Sequence, residues 1–317
     1  VPQHDWARKG RGRSNGSVSG PRQMESRMNV GIVGLGLLGR ALAGRLLAEG
    51  HRVSGCDIAE AAREEALRIG VAVHADVRTV TGDADVVLLS LLTSEDRRAL
   101  LWGEQHMAGT LGAGALVLDT TTARPEDTEA DAKRLIGERG ARLIDVCVVG
   151  SSEEASCGKA LALVGDSEDQ ADYRPLLAAF TRSQYFFGAP GRGNRAKLIV
   201  NLVLGLHRLV LAEALGLARK EGFDLAQILD VLKDGGAYST VMDTKGPKML
   251  SGTYEPPAAR LDQHAKDVGL IIEHARRMGA RVPLSEVHRV IIDDLVAEGC
   301  GALDNAAIFK AFSGGAV

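Results

Sequence analysis

The chain has 317 residues, room for about two domains at roughly 150 residues each. Its 45% apolar and 25% charged content is that of an ordinary globular protein. A net charge of -3 argues against nucleic acid or an acidic membrane surface as a main partner, and no stretch supplies the ~20 unbroken apolar residues that spanning a bilayer needs.

Cys56, Cys147, Cys157 and Cys300 have no C-x-x-C spacing and read as reduced thiols of a cytoplasmic protein. Residues 1–27 carry six Lys or Arg, two acids and almost no apolar pattern. They cannot bury enough surface to order themselves, so this segment reads as a disordered tag or extension outside the fold.

Met28 to Leu35 reads as a short buried strand ending in glycines, and Gly39 to Glu49 as a helix with Leu42, Leu46 and Leu47 on one face and Gly50 as its stop. A second strand is expected at Arg52 to Asp57 and a helix at Ala59 to Ile69. Further buried strands are expected at Asp85 to Leu92, Ala115 to Thr121, Arg142 to Val149, Ala160 to Gly165 and Ser183 to Gly188. Most are apolar throughout rather than alternating, which implies an α/β fold with a mostly parallel sheet covered by helices on both faces. From Asn194 to Phe312 only helical periodicity remains. The stretch Asn194 to Gly222 is one long helix, apolar around most of its girth although Leu198 to Leu217 includes His207, Arg208 and Glu213. Such a helix should be buried on several sides, between domains or subunits. The expected boundary lies at Gly191 to Gly193, dividing 28–190 from an all-helical 191–317.

Gly34, Gly36 and Gly39 form G-x-G-x-x-G between the first strand and first helix, and Asp57 closes the next strand 23 residues after Gly34. In that setting the first glycine permits a tight turn, the second admits a pyrophosphate and the third lets helix and strand pack closely. The phosphates then sit on unpaired N–H groups at the positive helix end. Asp57 can accept hydrogen bonds from a ribose diol and repels a 2′-phosphate, which favours NAD over NADP; Arg52 or Arg63 could still approach a phosphate. Lys197 and Asn201, four apart on the long helix, share a face. A lysine desolvated between domains can have its pKa lowered towards the working pH and move a hydroxyl proton. His207, His264 and His274 have no partners at metal-ligand spacing, and no metal is expected.

A Rossmann domain followed by an all-helical domain, joined by a long interdomain helix, resembles the β-hydroxyacid dehydrogenases, relatives of 3-hydroxyisobutyrate and 6-phosphogluconate dehydrogenases. Four motifs between Asn29 and about Phe312 carry the resemblance. "GLGLLGRALAGRL" matches G-L-G-x-M-G-x-x-M-A-x-N-L, with Leu38 and Leu42 at the methionine positions. "DTTTARP" (Asp119 to Pro125) matches D-x-S-T-x-x-P. "DVCVVGSSEEASCG" (Asp145 to Gly158) matches D-x-P-V-S-G-G-x-x-G-A-x-x-G at Asp145, Val148, Gly150, Ala155 and Gly158, but Val149-Gly150-Ser151 replaces Ser-Gly-Gly and Glu154 replaces a glycine. G-x-G-x-x-x-K-x-x-x-N is intact at Gly191, Gly193, Lys197 and Asn201.

The resemblance implies an NAD(P)-dependent oxidoreductase interconverting a small 3-hydroxy acid and its semialdehyde or keto form. The implied cofactor residues are Gly34, Leu35, Gly36, Leu37, Leu38, Gly39, Asp57, Leu91, Leu92, Thr122 and Lys266. The implied substrate residues are Val149, Gly150 and Ser151, with the substrate carboxylate against Gly150 to Ser152. Lys197 and Asn201 are the implied catalytic pair. Lys266, with Asp267 beside it, is expected to close the cleft from the helical domain, reaching cofactor or substrate carboxylate. Tyr238 and the "YEPPAARLD" segment are expected to read substrate size. The long helix and helical half are expected to build a homodimer or homotetramer. An imine reductase-like enzyme and a non-catalytic dinucleotide-binding module share the fold; Lys197 argues against both.

Overall fold

The computed structural model describes residues 27–314, so the expectation for residues 1–26 lies outside it. The chain runs β1 (Asn29–Val33), α1 (Leu37–Ala48), β2 (Arg52–Cys56), α2 (Glu60–Arg68), β3 (Ala72–Val73), α3 (Val77–Gly82), β4 (Val86–Leu89), α4 (Ser94–Trp102), β5 (Leu116–Asp119) and α5 (Pro125–Arg139). It continues through β6 (Arg142–Val149), α6 (Ser152–Ser156), β7 (Ala160–Val164), α7 (Arg174–Ala178) and β8 (Thr181–Phe186). Helices then take over: α8 (Arg192–Lys220), α9 (Leu225–Asp234), α10 (Thr240–Ser251), α11 (Leu261–Arg277) and α12 (Pro283–Ala297).

The strands form one sheet in the order β3-β2-β1-β4-β5-β6-β7-β8. Successive residues of one strand enter different cores. Ile32, Leu88 and Leu118 pack with α1, while Val33, Leu89 and Val117 pack with Leu101 of α4 and Leu135 of α5. Both faces are covered, which is why these strands read as continuous apolar runs. All pairings are parallel except β6 with β7. The short link through α6 is less than the dozen or so residues that a parallel crossover needs, so β7 returns antiparallel. β3 is only two residues long and has no sequence signal of its own. A third core lies among the helices, built around Leu215 of α8, Ile272 of α11, Ile292 of α12 and Phe309.

α8 is long and apolar enough to cross a membrane by length and composition, yet it is the core helix of this protein, with buried Lys197 and Asn201 bonded to β6 and α11. It is not buried all round within one chain. Ile199, Val203, Val210 and Leu217 remain exposed as a stripe.

The start of α8 is held by a buried carboxylate. Asp145 of β6 accepts from the backbone N–H of Gly191 at 2.8 Å and of Asn194 at 2.7 Å. Gly193 permits this approach, since an added Cβ would lie 2.6 Å from the Leu163 carbonyl oxygen and 2.8 Å from Asp145 Oδ2. The Asn194 amide oxygen accepts from Ala123 N–H at 2.8 Å, and its Nδ2 donates to Thr128 Oγ1 at 3.3 Å. Thr128 in turn accepts from Arg97, whose guanidinium pairs with Asp119 at 2.6 Å and Asp131 at 2.9 Å. Arg97 is fully buried with both acids. Arg97→Met should therefore lower the unfolding free energy by about 3–5 kcal/mol, because two carboxylates lose their buried cation; urea denaturation measures it, and a loss below about 1 kcal/mol contradicts the role.

Candidate active site

The β1–α1 turn accepts nothing but glycine at two points. Gly34 has φ +95°, and a Cβ there or at Gly39 would overlap the carbonyl oxygen of Ser90 or of Gly34. A Cβ at Gly36 would meet nothing within 4 Å, so the backbone there borders open space. Leu37, Leu38 and Gly39 begin α1, and amides at that position have no partner within the helix. Together they form a cradle at the positive helix end, suited to a pyrophosphate.

The Leu35 side chain is fully buried in the core and its amide donates to Asp57 Oδ2 at 2.7 Å. It positions Asp57 and has no free amide for a phosphate. Asp57 Oδ1 accepts from Ala59 N–H at 2.8 Å, so its carboxylate is fixed at the end of β2. Arg63 occupies the same turn, donating to the carbonyls of Asp57 and Ile58 at 2.8 and 3.0 Å.

Leu91 and Leu92 lie on a loop, because β4 ends at Leu89. Leu91 N–H donates to Thr121 Oγ1 at 3.3 Å. From α11, Lys266 Nζ donates to the carbonyls of Leu92 at 2.8 Å and Thr122 at 2.9 Å. One ammonium thus ties the helical half to the loops after β4 and β5. The same ammonium pairs with Asp267 at 3.1 Å.

Lys197 is 9% exposed, and its Nζ donates to the Val148 carbonyl at the end of β6 at 2.7 Å. Burial pulls its pKa below the ordinary lysine range, and the Asp267 charge only partly opposes this. One turn on, Asn201 Nδ2 donates to Asp267 Oδ2 at 2.9 Å. Further along the same face is Arg208, which the sequence presents only as a charged break in an apolar helix. It is 8% exposed and forms no salt bridge among the described residues. Its Nη2 rests on the ring nitrogens of His264 at 3.0 and 3.1 Å, and its Nε has no partner. Burial pulls Arg208 down to about 10. His264 and His288 are pulled down by burial first and the Arg208 charge second, His288 to about 4, so both rings are neutral.

Tyr238 donates its hydroxyl to Asp243 at 2.6 Å, and the segment after Tyr254 is tied by Ala258 N–H to Asp304 at 2.9 Å. Neither makes a hydrogen bond to Lys197 or Asn201.

A family model described as the NAD-binding domain of 6-phosphogluconate dehydrogenase matches residues 29–188. A second, described as NAD-binding of NADP-dependent 3-hydroxyisobutyrate dehydrogenase, matches residues 191–312. The chain belongs to the β-hydroxyacid dehydrogenase family. L-threonate dehydrogenase of Cupriavidus necator is 30% identical over 90% of this chain and 96% of its own length. 2-(Hydroxymethyl)glutarate dehydrogenase of Eubacterium barkeri is 28% identical over 90% and 95%. The crystal structure of 3-hydroxyisobutyrate dehydrogenase from Salmonella typhimurium superposes with a TM-score of 0.82 at 26% identity, covering 90% of this chain and all of that one. This β-hydroxyacid dehydrogenase is an NAD(P)-dependent oxidoreductase that acts on the CH–OH group of hydroxy acids.

In this β-hydroxyacid dehydrogenase the turn after β6 is shaped by a capping box. Ser151 caps α6: its N–H donates to Glu154 Oε2 at 2.8 Å, and its hydroxyl accepts from Glu154 N–H at 3.1 Å. Glu154 Oε2 also lies 3.2 Å from where a Cβ on Gly150 would stand. The Glu154 carboxylate therefore stands beside Gly150 and Ser151, where the resemblance puts the substrate carboxylate.

Gly36→Ala should leave the thermal midpoint within about 2 °C, since its backbone is extended (φ −65°, ψ −166°) and nothing lies nearby. It should weaken NADH binding at least about tenfold by crowding the cradle. Fluorescence titration of bound NADH checks it, and unchanged affinity removes Gly36 from the site.

Proposed function

We propose that the enzyme interconverts a small 3-hydroxy acid and its semialdehyde or keto form, with Lys197 as general acid and base. The observation that carries this reading is the buried Lys197 amine, held at 2.7 Å from the Val148 carbonyl beside Asn201. L-threonate, 2-(hydroxymethyl)glutarate and 3-hydroxyisobutyrate, which appear in the relatives' names, set the size of acid to try first.

Gly36, Leu37, Leu38 and Gly39 would hold the pyrophosphate, Asp57 the adenosine ribose, and the Leu91–Leu92 and Thr122 loops the nicotinamide end. The dinucleotide, when bound, supplies the hydride acceptor. Neutral Lys197 takes the hydroxyl proton in oxidation and returns it, as an ammonium, in reduction. Asn201 orients the reacting oxygen, and the Asp267 carboxylate keeps the Asn201 amide in place. Val149, Gly150 and Ser151 would line the substrate site beside Lys197, and Lys266, bonded to the carbonyls of Leu92 and Thr122, would close it over the cofactor loops.

The fixed carboxylate of Asp57 favours NAD over NADP, although the Arg63 guanidinium lies against the same turn. The exposed apolar stripe on α8 supports a homodimer or homotetramer. The four unpaired thiols suit the reducing cytoplasm, where we place the protein. Residues 28–190 and 191–317 are read as its two domains. Titration with NADH and NADPH and the mass in sedimentation check the cofactor and oligomer readings.

Lys197→Ala should lower kcat by about 10²–10⁴-fold with NADH affinity retained. Because the base must be neutral, oxidation should rise with pH through a pKa below the ordinary lysine range. Reduction, which needs the ammonium, should fall through the same pKa. Steady-state kinetics in both directions measure this. Equal activity of Lys197→Ala and wild type, or no turnover across a panel of 3-hydroxy acids, sinks the reading.

A further inference from the structure

One face of α11 meets the dinucleotide-binding half along a line of polar contacts. Lys266, Glu273 and Arg277, seven and then four residues apart, share that face and span roughly 16 Å of helix rise. Opposite them runs the segment that leads from β5 into α5, and every second residue of it touches α11. The Thr122 carbonyl accepts from Lys266 Nζ at 2.9 Å, Arg124 Nε donates to Glu273 Oε2 at 3.0 Å, and Glu126 Oε2 accepts from Arg277 Nη1 at 2.9 Å. The two segments thus lie side by side in register.

Glu126 is the node of this seam. Its three basic partners all come from the helical half: Arg277 at 2.9 Å, His274 at 3.5 Å and Arg195 of α8 at 3.8 Å. Glu273 pairs with both Arg124 and Arg277, and Arg124 pairs also with Glu95 of α4. The signs therefore alternate without a break through Glu95, Arg124, Glu273, Arg277 and Glu126. The side chains that cross the seam are 32–42% exposed, so each pair is weak alone and the network is what holds. Salt reaches it, since the screening length falls from about 10 Å at 0.1 M to about 3 Å at 1 M. At its other end Lys266 ties the loops of Leu92 and Thr122 to α11. Those loops cannot part from the helical half while the seam is shut.

We propose that this ionic seam is the gate for dinucleotide exchange, with Glu126 as its node. It parts when the dinucleotide enters or leaves and holds the two halves together in between. The proposal rests on the reading of the Leu91–Leu92 and Thr122 loops as cofactor loops, and not on the reading of Lys197. Because the seam is made by the chain alone, it holds the cleft equally with the dinucleotide in or out. Loosening it should therefore speed entry and exit together.

Stopped-flow fluorescence of NADH on the full-length protein measures both rates, at about 50 mM and about 500 mM NaCl. NADPH takes its place if titration shows that it binds tighter. At low salt Glu126→Gln should raise both rates at least about threefold, the scale of a few exposed pairs lost together, and leave Kd within about twofold. Salt should speed exchange more in wild type than in Glu126→Gln, which has lost the charge to be screened. Arg277→Gln should reproduce the acceleration, and the double variant should fall short of the product of the singles, because the two residues are paired. Glu138→Gln breaks a pair with Arg134 inside α5 and crosses nothing, so its rates should match wild type. Wild-type rates in both Glu126→Gln and Arg277→Gln at low salt overturn the proposal. An equal acceleration in Glu138→Gln overturns it too, as a general effect of charge. So does faster exit with unchanged entry, which would make Glu126 a support of the bound form alone. If no hydroxy acid is turned over while the exchange rates still depend on Glu126, the proposed reaction fails and the gate stands.

Discussion

Everything at the active centre depends on one carboxylate meeting one helix end. Asp145 projects from β6 into the first turn of α8 and accepts two of its unpaired N–H groups. Because α8 carries Lys197 and Asn201, this cap sets where the Lys197 amine stands relative to the strand end at Val148. Two effects compete at Asp145. Backbone hydrogen bonds favour its charge, but burial disfavours it more, and its pKa is pushed up to about 6. The carboxylate is held there by geometry: Gly193 lets backbone and carboxylate close to van der Waals contact, and Asn194 passes the connection on to Thr128 and Arg97.

Two buried arginines show how differently one group can be used. Arg97 is enclosed with Asp119 and Asp131, so its charge is met within the fold and ties α4 to β5 and α5. Arg208 is also buried, but its guanidinium has only an imidazole ring as hydrogen-bond partner. The first arrangement is complete in the folded chain. The second has no carboxylate paired with it among the described residues. Lys266 belongs between these extremes. It has Asp267, but it also bonds carbonyls across the cleft, so its role is to hold two halves of the molecule at one separation.

The sheet's buried strands, the glycine turn with Asp57 and the Lys197–Asn201 pair were legible in the chain because each is a local pattern: an apolar run, a fixed spacing, two residues one helical turn apart. β3 was not, since two residues carry no periodicity, and neither was the reversal of β7, which the short link through α6 imposes. Leu35 looks like part of the phosphate turn, yet its amide is drawn to Asp57 by the way β2 lies against β1. Ser151 reads in the chain as a ligand for substrate, and the structure adds that Glu154, three residues on, completes a capping box with it.

By itself the amino-acid sequence determined the class of fold and the glycine turn of the dinucleotide-binding domain, because these follow from periodicity and from residue types at short spacing. Only the tertiary structure decided which charges are matched and which are left over. Arg97 and Arg208 look alike in the sequence, and the difference between them lies in carboxylates that other elements bring, or fail to bring, into contact. Compensation of a buried charge is a property of neighbours in space, and no spacing along the chain records it.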